Sequence, residues 1–412
     1  MRKYKMKFSA YPLDYPLGVP KLPGYVVKAP RISQSSSDAK KISNIVGASV
    51  GLENNNALQR AYGEAIERYC LYQYNETNFQ QHHTNKTDVT KIFSKFILYD
   101  DNQYCDKNFP YRKPCDTKKF FVVLGESLLN GSQKYLPVDL VYPRHKKDHQ
   151  RIDSMNPSGS ASGNTNQLAI LNGLCEVIER DSLMCAWLTS SHFYQLPLRF
   201  VKDASVNKLL NIIKNSKLNL VIYLVVNDMN MVTVVAVLTS KTAPYMSFGS
   251  AMTLEIIQSI KKAIEESIMI RRSQLILYEQ DNNKRQNRKE ILELSDHIMV
   301  PTNKTNVAEI KRTMGNKLLS FNQYRKILSK APVSLYDLLM RLDQKYFEPW
   351  CVDIAPKEIK ESGFSVCKIL IPGLHPLEIN QNYLHNDPRR LQSFINTSVA
   401  VTRVNKFPHP FG

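Results

Sequence analysis

The sequence contains no Cys-x-x-Cys pair. Its seven cysteines, at positions 70, 105, 115, 175, 185, 351 and 367, are odd in number and scattered. That argues against a zinc ribbon and a disulfide scaffold, and fits a reducing compartment. No run of eighteen apolar residues occurs, and the charged N-terminus lacks an apolar core of signal-peptide length. The expectation is a cytoplasmic protein with no membrane span. Acidic residues are scarce: 37 Asp and Glu against 55 Lys and Arg leave a net charge of +18. Such an excess favours anionic partners such as nucleotide phosphates. Much of it, however, lies in polar stretches such as 284–289 and 304–317, which read equally as solvated basic loops, and no nucleic-acid partner is expected. At 412 residues, 43% of them apolar, the chain can bury a large core.

What the chain does have is a repeat. A 22-residue stretch occurs twice, 112 residues apart, from Gly47 to Arg68 and from Gly159 to Arg180. The copies share Gly47/Gly159, Gly51/Gly163, Asn54/Asn166 and Ala57/Ala169. They end Glu64-x-Ile66-Glu67-Arg68 and Glu176-x-Ile178-Glu179-Arg180. Residues three and four apart share a helix face, so each glutamate pair can point at one spot. Paired carboxylates repel unless cations or protons neutralise them. All-oxygen ligation with no His or Cys nearby suits Mg2+, which binds through a few carboxylates and phosphate oxygens. It disfavours a carboxylate-bridged redox metal centre. An arginine beside each pair can clamp phosphates. Glu64, Glu67, Glu176 and Glu179 therefore read as metal ligands, and Arg68 and Arg180 as phosphate contacts. The competing reading is i,i+4 ion pairs on exposed helices; the duplication, with matched glycines upstream, weighs for the site.

Two further features bear on that site. The small, polar segment 158–164, from Ser158 to Asn164, stands immediately before a helix, where free N–H groups favour anions. No Gly-Lys-Ser/Thr follows, so it is not a Walker loop. In a third helix, Arg271 falls on the apolar stripe of Ile256, Ile260, Ile264 and Ile268. It either has an acidic or phosphate partner or marks the helix end turning to solvent.

Pattern and turn signals predict a strand over 25–28, helices over 56–72, 167–188 and 254–278, and strands over 120–124 and 135–142. They also predict a buried hairpin over 218–226 and 231–239, and a strand over 365–371. Residues 80–118 read as irregular and 280–335 as peripheral helices and loops. Helices alternate with hairpins, so the fold class is α+β. The domain division expected is an N-terminal loop and strand segment over 1–46 and one catalytic domain over 47–412.

At the repeat the chain resembles the YcaO superfamily, ATP-dependent enzymes that modify peptide backbones. The family's G-K-G-L-T and S-A-L-G-E-A-x-E-R-Y pattern is met by Val50-Gly51-Leu52 and by Arg60-Ala61-Tyr62-Gly63-Glu64-Ala65-Ile66-Glu67-Arg68-Tyr69. Its second motif is met by residues 158–164 and 173–181, and its third, R-A-L-x-E-A-x-Q-x-R, by residues 262–271. Pro372-Gly373-Leu374-His375-Pro376-Leu377 resembles P-G-L-x-P-L. The resemblance implies internally duplicated helix–hairpin units packed around a nucleotide site. Glu64, Glu67, Glu176 and Glu179 would hold Mg2+; Arg68, Ser158, Asn164, Arg180, Glu266 and Arg271 would contact ATP. Azoline-forming members tend to end P-x-P-x-P. The ending Pro408-His409-Pro410-Phe411-Gly412 is similar, with Gly for the final Pro, and implies that Pro408, Pro410 and Gly412 complete the active site. Val50, Arg60 and Met269 depart from the usual Lys, Ser and Gln. The implied activity is ATP-dependent conversion of Cys, Ser or Thr of a ribosomal precursor peptide into an azoline, as in bacteriocin or cytolysin maturation. The implied partners are a leader-binding protein resembling ubiquitin-activating enzymes and a flavin-dependent azoline dehydrogenase, and a homodimer is left open. A thioamide- or amidine-forming enzyme and a silent scaffold remain as alternatives.

Overall fold

The computed structural model describes residues 8–30, 45–74, 79–83, 93–114, 119–142, 151–154, 156–280, 290–385, 387–398, 401 and 404–412. In chain order the strands are β1 Ser9–Pro12, β2 Gly24–Lys28, β3 Val46–Val50, β4 Gln80–His83, β5 Lys119–Ser127, β6 Gln133–Pro137 and β7 Ser160–Gly163. They continue with β8 Phe193–Leu196, β9 Asn219–Val226, β10 Val232–Thr239, β11 Met246–Ala251, β12 Trp350–Asp353 and β13 Ser365–Leu370. The helices of eight residues or more are α1 Asn54–Tyr72, α2 Asn166–Leu188, α3 Ala204–Asn215, α4 Ile256–Gln280, α5 Lys304–Met314, α6 Phe321–Lys330, α7 Leu335–Gln344 and α8 Pro388–Ile395.

The strands form three antiparallel sheets: β1-β2-β3, β11-β10-β9-β8, and β4-β5-β12-β13-β7 with β6 beside β5. β3, β7 and β11 are each the edge strand of a different sheet, and each runs directly into a long helix: α1, α2 and α4. The α+β class and the three long helices stand as expected. The hairpin runs over β9 and β10; seven of the eight β10 residues are buried but only three of the eight in β9, so burial on both faces, expected of both strands, holds for β10 alone. The expected strand over 135–142 is shorter. It ends at Pro137, which has no N–H for the ladder, and Val138–Val141 form a helical turn. The N-terminal segment contributes two strands rather than one, and β2 pairs with β3 along its whole length. Within 80–118, β4 and the turn Asp101–Tyr104 are ordered structure; residues 84–92 and 115–118 lie outside the described residues. So do 281–289 of the basic stretch, and the rest of it forms α5, α6 and short turns. Among the described residues no helix is long and apolar enough to cross a membrane.

Candidate active site

Each strand–helix unit is locked by backbone packing that only glycine permits. A Cβ on Gly47 would lie 2.3 Å from Ala65 N and 2.4 Å from Ala61 O, and one on Gly249 would lie 2.3 Å from both Ser267 N and Ala263 O. One helix turn therefore rests directly on its strand. Ala57, Ala61 and Ala65 form the fully buried small-residue face of α1 that makes this approach possible. Glu64, Glu176 and Glu266 each follow a glycine at the same spacing of seventeen residues: Gly47 in β3, Gly159 in the turn just before β7, and Gly249 in β11.

That spacing brings each carboxylate to the open edge of its own sheet, where unpaired N–H groups need acceptors. Ala48 N donates to Glu64 Oε2 (2.7 Å), Gly159 N to Glu176 Oε2 (3.2 Å) and Ser250 N to Glu266 Oε2 (2.5 Å). The second glutamate of each repeat reaches the next unit. Glu67 Oε1 accepts from Ser162 N and Oγ, both at 2.8 Å. Glu179 accepts from Ser250 Oγ (2.5 Å) and Met252 N (2.9 Å). Three sheet edges thus meet around five glutamates. In α4 the second-glutamate position is Met269, and the junction back to α1 closes instead through Arg60 Nη1 on Glu265 Oε2 at 2.6 Å.

The electrostatics are those of an unneutralised site. Burial pushes Glu67 up to about 8, opposed by its Ser162 hydrogen bonds and reinforced by Glu176 and Glu64. Burial, then the charge of Glu179, raises Glu266 to about 8. Glu176 is raised by burial against the pull of Arg180. Among the described residues no three carboxylate, imidazole or thiol side chains converge tightly enough to ligate one ion by themselves. The donor set nonetheless fits Mg2+. Hard oxygens in excess are each pinned on one side by a backbone N–H, and they leave positions for the water and phosphate ligands this ion keeps.

The remaining expected residues divide. The i,i+4 pair Glu64–Arg68 forms at 2.5 Å, with Arg68 half exposed and its Nη1 also on Val46 O (2.8 Å). Arg180 turns to the tail instead: its Nη1 donates to Gly412 O at 2.5 Å. The tail lies along the end of α2, with Trp187 Nε1 donating to Phe407 O (2.7 Å) and the Phe411 ring packed edge-on against Trp187 and Phe248. Of Pro408, Pro410 and Gly412, it is Gly412 that accepts the Arg180 hydrogen bond. A Cβ on Gly412 would fall 2.8 Å from Ile298 Cγ2 and 3.1 Å from Ile270 Cδ1, so a larger residue there would have to displace those side chains. Ser158 sits in the loop beside Glu176, and its carbonyl accepts from Lys368 Nζ at 2.6 Å. Asn164 is exposed at the turn from β7 into α2. Arg271 is buried but stands apart from the glutamates: its Nε donates to Gly18 O (2.8 Å) and its Nη1 to Pro244 O (2.9 Å). Backbone carbonyls thus supply the partners its burial requires.

Sequence reasoning missed Lys368. It lies on β13, 1% exposed, with burial pulling it down to about 8 against the attraction of Glu176 and Asp153. A lysine inside an otherwise apolar strand was the available signal.

Residues 49–375 match the family model described as YcaO cyclodehydratase, ATP- and Mg2+-binding. The chain belongs to the YcaO family. The family's cofactors, by that description, are ATP and Mg2+. A heterocyclase solved in complex with substrate and cofactor superposes with a TM-score of 0.73 at 18% identity, over 98% of this chain and 54% of that one. YcaO from Methanopyrus kandleri, bound with AMPPCP and Mg2+, gives 0.62 at 14% identity over 94% and 91%. The E. coli microcin synthetase McbBCD complex with pro-MccB17 bound gives 0.61 at 16% over 98% and 95%. At these identities the likeness is one of fold. An uncharacterized protein in the tfuA 3' region of Rhizobium leguminosarum bv. trifolii is 38% identical over 66 residues. The chain spans about half the length of that first heterocyclase, and its match covers 16% of the Rhizobium protein.

Proposed function

We propose that this YcaO chain is the ATP-using subunit of a peptide-modifying complex, a cyclodehydratase that turns Cys, Ser or Thr of a ribosomally made precursor into thiazoline or oxazoline. The observation that carries this reading is the tail: Gly412 O stands on Arg180, the arginine whose charge also faces Glu176, Glu179 and Glu266. In this reading Glu64, Glu67, Glu176 and Glu179 hold Mg2+, which when bound would neutralise and orient the ATP phosphates. Arg68, Arg180, Glu266 and the 158–164 segment line the nucleotide. The substrate side chain attacks the preceding amide carbonyl, the resulting oxyanion takes the γ-phosphoryl group, and loss of phosphate leaves the ring. The protein supplies positioning and charge, the two largest contributions in phosphoryl transfer. Pro408 and Pro410 hold the tail with fixed φ. The partners in this reading are the precursor, a leader-binding protein resembling ubiquitin-activating enzymes, and a flavin-dependent dehydrogenase.

Removing residues 408–412 would also expose Trp187 and Phe248, so the sharper variant removes Gly412 alone. Reconstituted with its genomic neighbours and precursor, the wild type should yield a product lighter by one water per modified residue. The shortened chain should keep its fold and Mg-ATP binding and lose ring formation. A product with sulfur in place of oxygen, or full activity without Gly412, overturns the azoline reading.

A further inference from the structure

Behind Arg180, on the side of α2 that faces β13, lies a cavity with apolar walls that include Leu98, Val177, Ile369 and Leu374. Three buried polar atoms at this cavity have no hydrogen-bond partner: Ser154 Oγ, Arg180 Nε and His375 Nε2. Buried polar atoms are rarely left so, and a largely apolar cavity with a few convergent polar groups is the common form of a ligand site. Lys368 and Ser158 belong both to its wall and to the neighbourhood of Glu176, so the cavity adjoins the ring of glutamates.

His375, 1% exposed, is positioned by its backbone. Gly373, at φ +90°, makes the turn after β13. His375 N then donates to Asp181 Oδ1 at 2.8 Å, and Asp181 is itself clamped by Arg390 Nε (2.8 Å) and Nη2 (2.5 Å). The ring's Nδ1 lies 2.9 Å from Pro376 O. A carbonyl only accepts, so Nδ1 carries the hydrogen and Nε2 presents a lone pair. Glu378 Oε1 is 3.7 Å from that nitrogen, and the His385 ring centre is 6.2 Å from the His375 ring centre. Asp139, Asp153, Lys368 and Arg180 are the other charged groups of the adjoining wall, Asp139 facing Arg112 at 3.9 Å.

We propose that this cavity receives the reacting amide of the peptide, and that His375 Nε2 accepts the proton of its Cys, Ser or Thr nucleophile. The assignment rests on the cyclodehydratase reading above. The nucleophile's S–H or O–H proton passes to Nε2 as its heteroatom bonds to the amide carbon, and the C=O π pair moves onto oxygen. That oxygen then displaces ADP from the γ-phosphorus of ATP. Finally the nitrogen lone pair expels phosphate, breaking the C–O bond, and the amide N–H proton leaves to water.

The test uses the full chain co-produced with its partner subunits and the peptides encoded by the small reading frames flanking its gene, each also with Cys, Ser and Thr changed to Ala. His375→Gln should lower the rate of water loss by about 10²-fold or more, abolish the acid limb of the kcat profile, and leave Mg-ATP binding by calorimetry unchanged. Leu98→Trp, which keeps His375 and narrows the cavity, should raise KM for the peptide at least tenfold with Mg-ATP binding intact. A wild-type rate and pH profile in His375→Gln overturns the proton transfer, and an unchanged KM in Leu98→Trp overturns the subsite. If the wild type removes no water from any of these peptides, the cyclodehydratase reading falls and this assignment with it.

Discussion

α2 carries two buried charge clusters built on opposite rules. On one face, Glu176, Glu179 and Arg180 join a ring of glutamates in which Glu67 and Glu266 are driven to about 8, because burial and like charge leave their anions short of cations. On another face every carboxylate has a cation within 3.5 Å. Arg390 Nη2 reaches Asp181 at 2.5 Å and Asp228 at 3.0 Å, and Lys345 reaches Asp228 at 3.5 Å. A little further on, His385 bridges Glu378 Oε2 and Asp153 Oδ1 at 2.9 Å each. Burial opposes the His385 imidazolium, yet Glu378 and Asp153 prevail and lift it to about 10. Burial opposes the Asp228 carboxylate too, and Arg390 outweighs it and keeps that group low. The balanced cluster holds the fold together. The unbalanced one has the perturbed ionisable groups that tend to mark functional sites, and in the proposed reading its charge is held for ligands.

The largest expected effect breaks the balanced cluster. Arg390→Met strands Asp181 in the interior, leaves Asp228 with Lys345 as its cation, and should cost about 3–5 kcal/mol, the usual penalty for removing one partner of a buried pair. That is a large share of the roughly 5–15 kcal/mol a folded chain has to spare, and chemical denaturation reads it directly. Glu67→Gln should do the reverse. The apo protein should be as stable as wild type or more so, since a repelled charge is gone, while turnover falls by about 10²–10³-fold, as for loss of one preorganised electrostatic contact. Equal destabilisation by both variants would erase the distinction between the clusters.

The effect of pH sharpens it. Glu67 and Glu266 have folded pKa values near 8, above the ordinary 4.5. Their contribution to stability is complete below about 4.5 and is lost as pH rises to 8. The metal-free melting temperature should therefore fall between pH 5 and 8, less so in Glu67→Gln. In the proposed reading Mg2+ with a non-hydrolysable ATP analogue binds the ionised carboxylates, and it should then flatten or invert that slope. His385 also has its pKa raised, from 6.5 to about 10. Its contribution is complete below 6.5 and lost towards pH 10, so the balanced cluster should give way over a range that starts within the ring's transition and extends about two pH units beyond it.

Much of the ring was legible in the sequence, because a repeated Glu-x-Ile-Glu-Arg fixes helical spacing and needs no knowledge of tertiary contacts. The third unit was legible only through the family motif over 262–271, which pointed to Glu266, and not through the repeat. Gly249 and Glu266 keep the spacing of Gly47 and Glu64, but Met269 and Ile270 stand where the second glutamate and the arginine would, so the motif dissolves while the packing persists. Arg271 could be seen to need a partner, but not which one, since Gly18 and Pro244 reach it through backbone carbonyls that no side-chain pattern announces. The partners of Asp181 lie 194 and 209 residues further along the chain, and Asp153, Glu378 and His385 meet only once the sheets are assembled. Local periodicity cannot report contacts made at that range.

The smallest expected effect concerns the corner where the ring lacks its sixth carboxylate. Three departures from the family pattern meet there. Val50 and Met269 share one apolar cluster, and Arg60 Nη2 donates to Val50 O while its Nη1 holds Glu265. Gly51 leaves the guanidinium its path, since a Cβ there would fall 2.6 Å from Arg60 Nη2. The Arg60 side chain is 33% exposed and that of Glu265 only 7%, so the pair stands between a surface ion pair, worth about 0–1 kcal/mol, and a buried one. Arg60→Met should therefore cost about 1–2 kcal/mol, most of it from the glutamate left behind. Adding Glu265→Met should return most of that loss, because removing both charges leaves no buried ion to solvate. If the double variant is no more stable than Arg60→Met, the corner is held by the Arg60–Val50 hydrogen bond rather than by the ion pair, and it is then closed as the other two are, through a backbone group at the sheet edge.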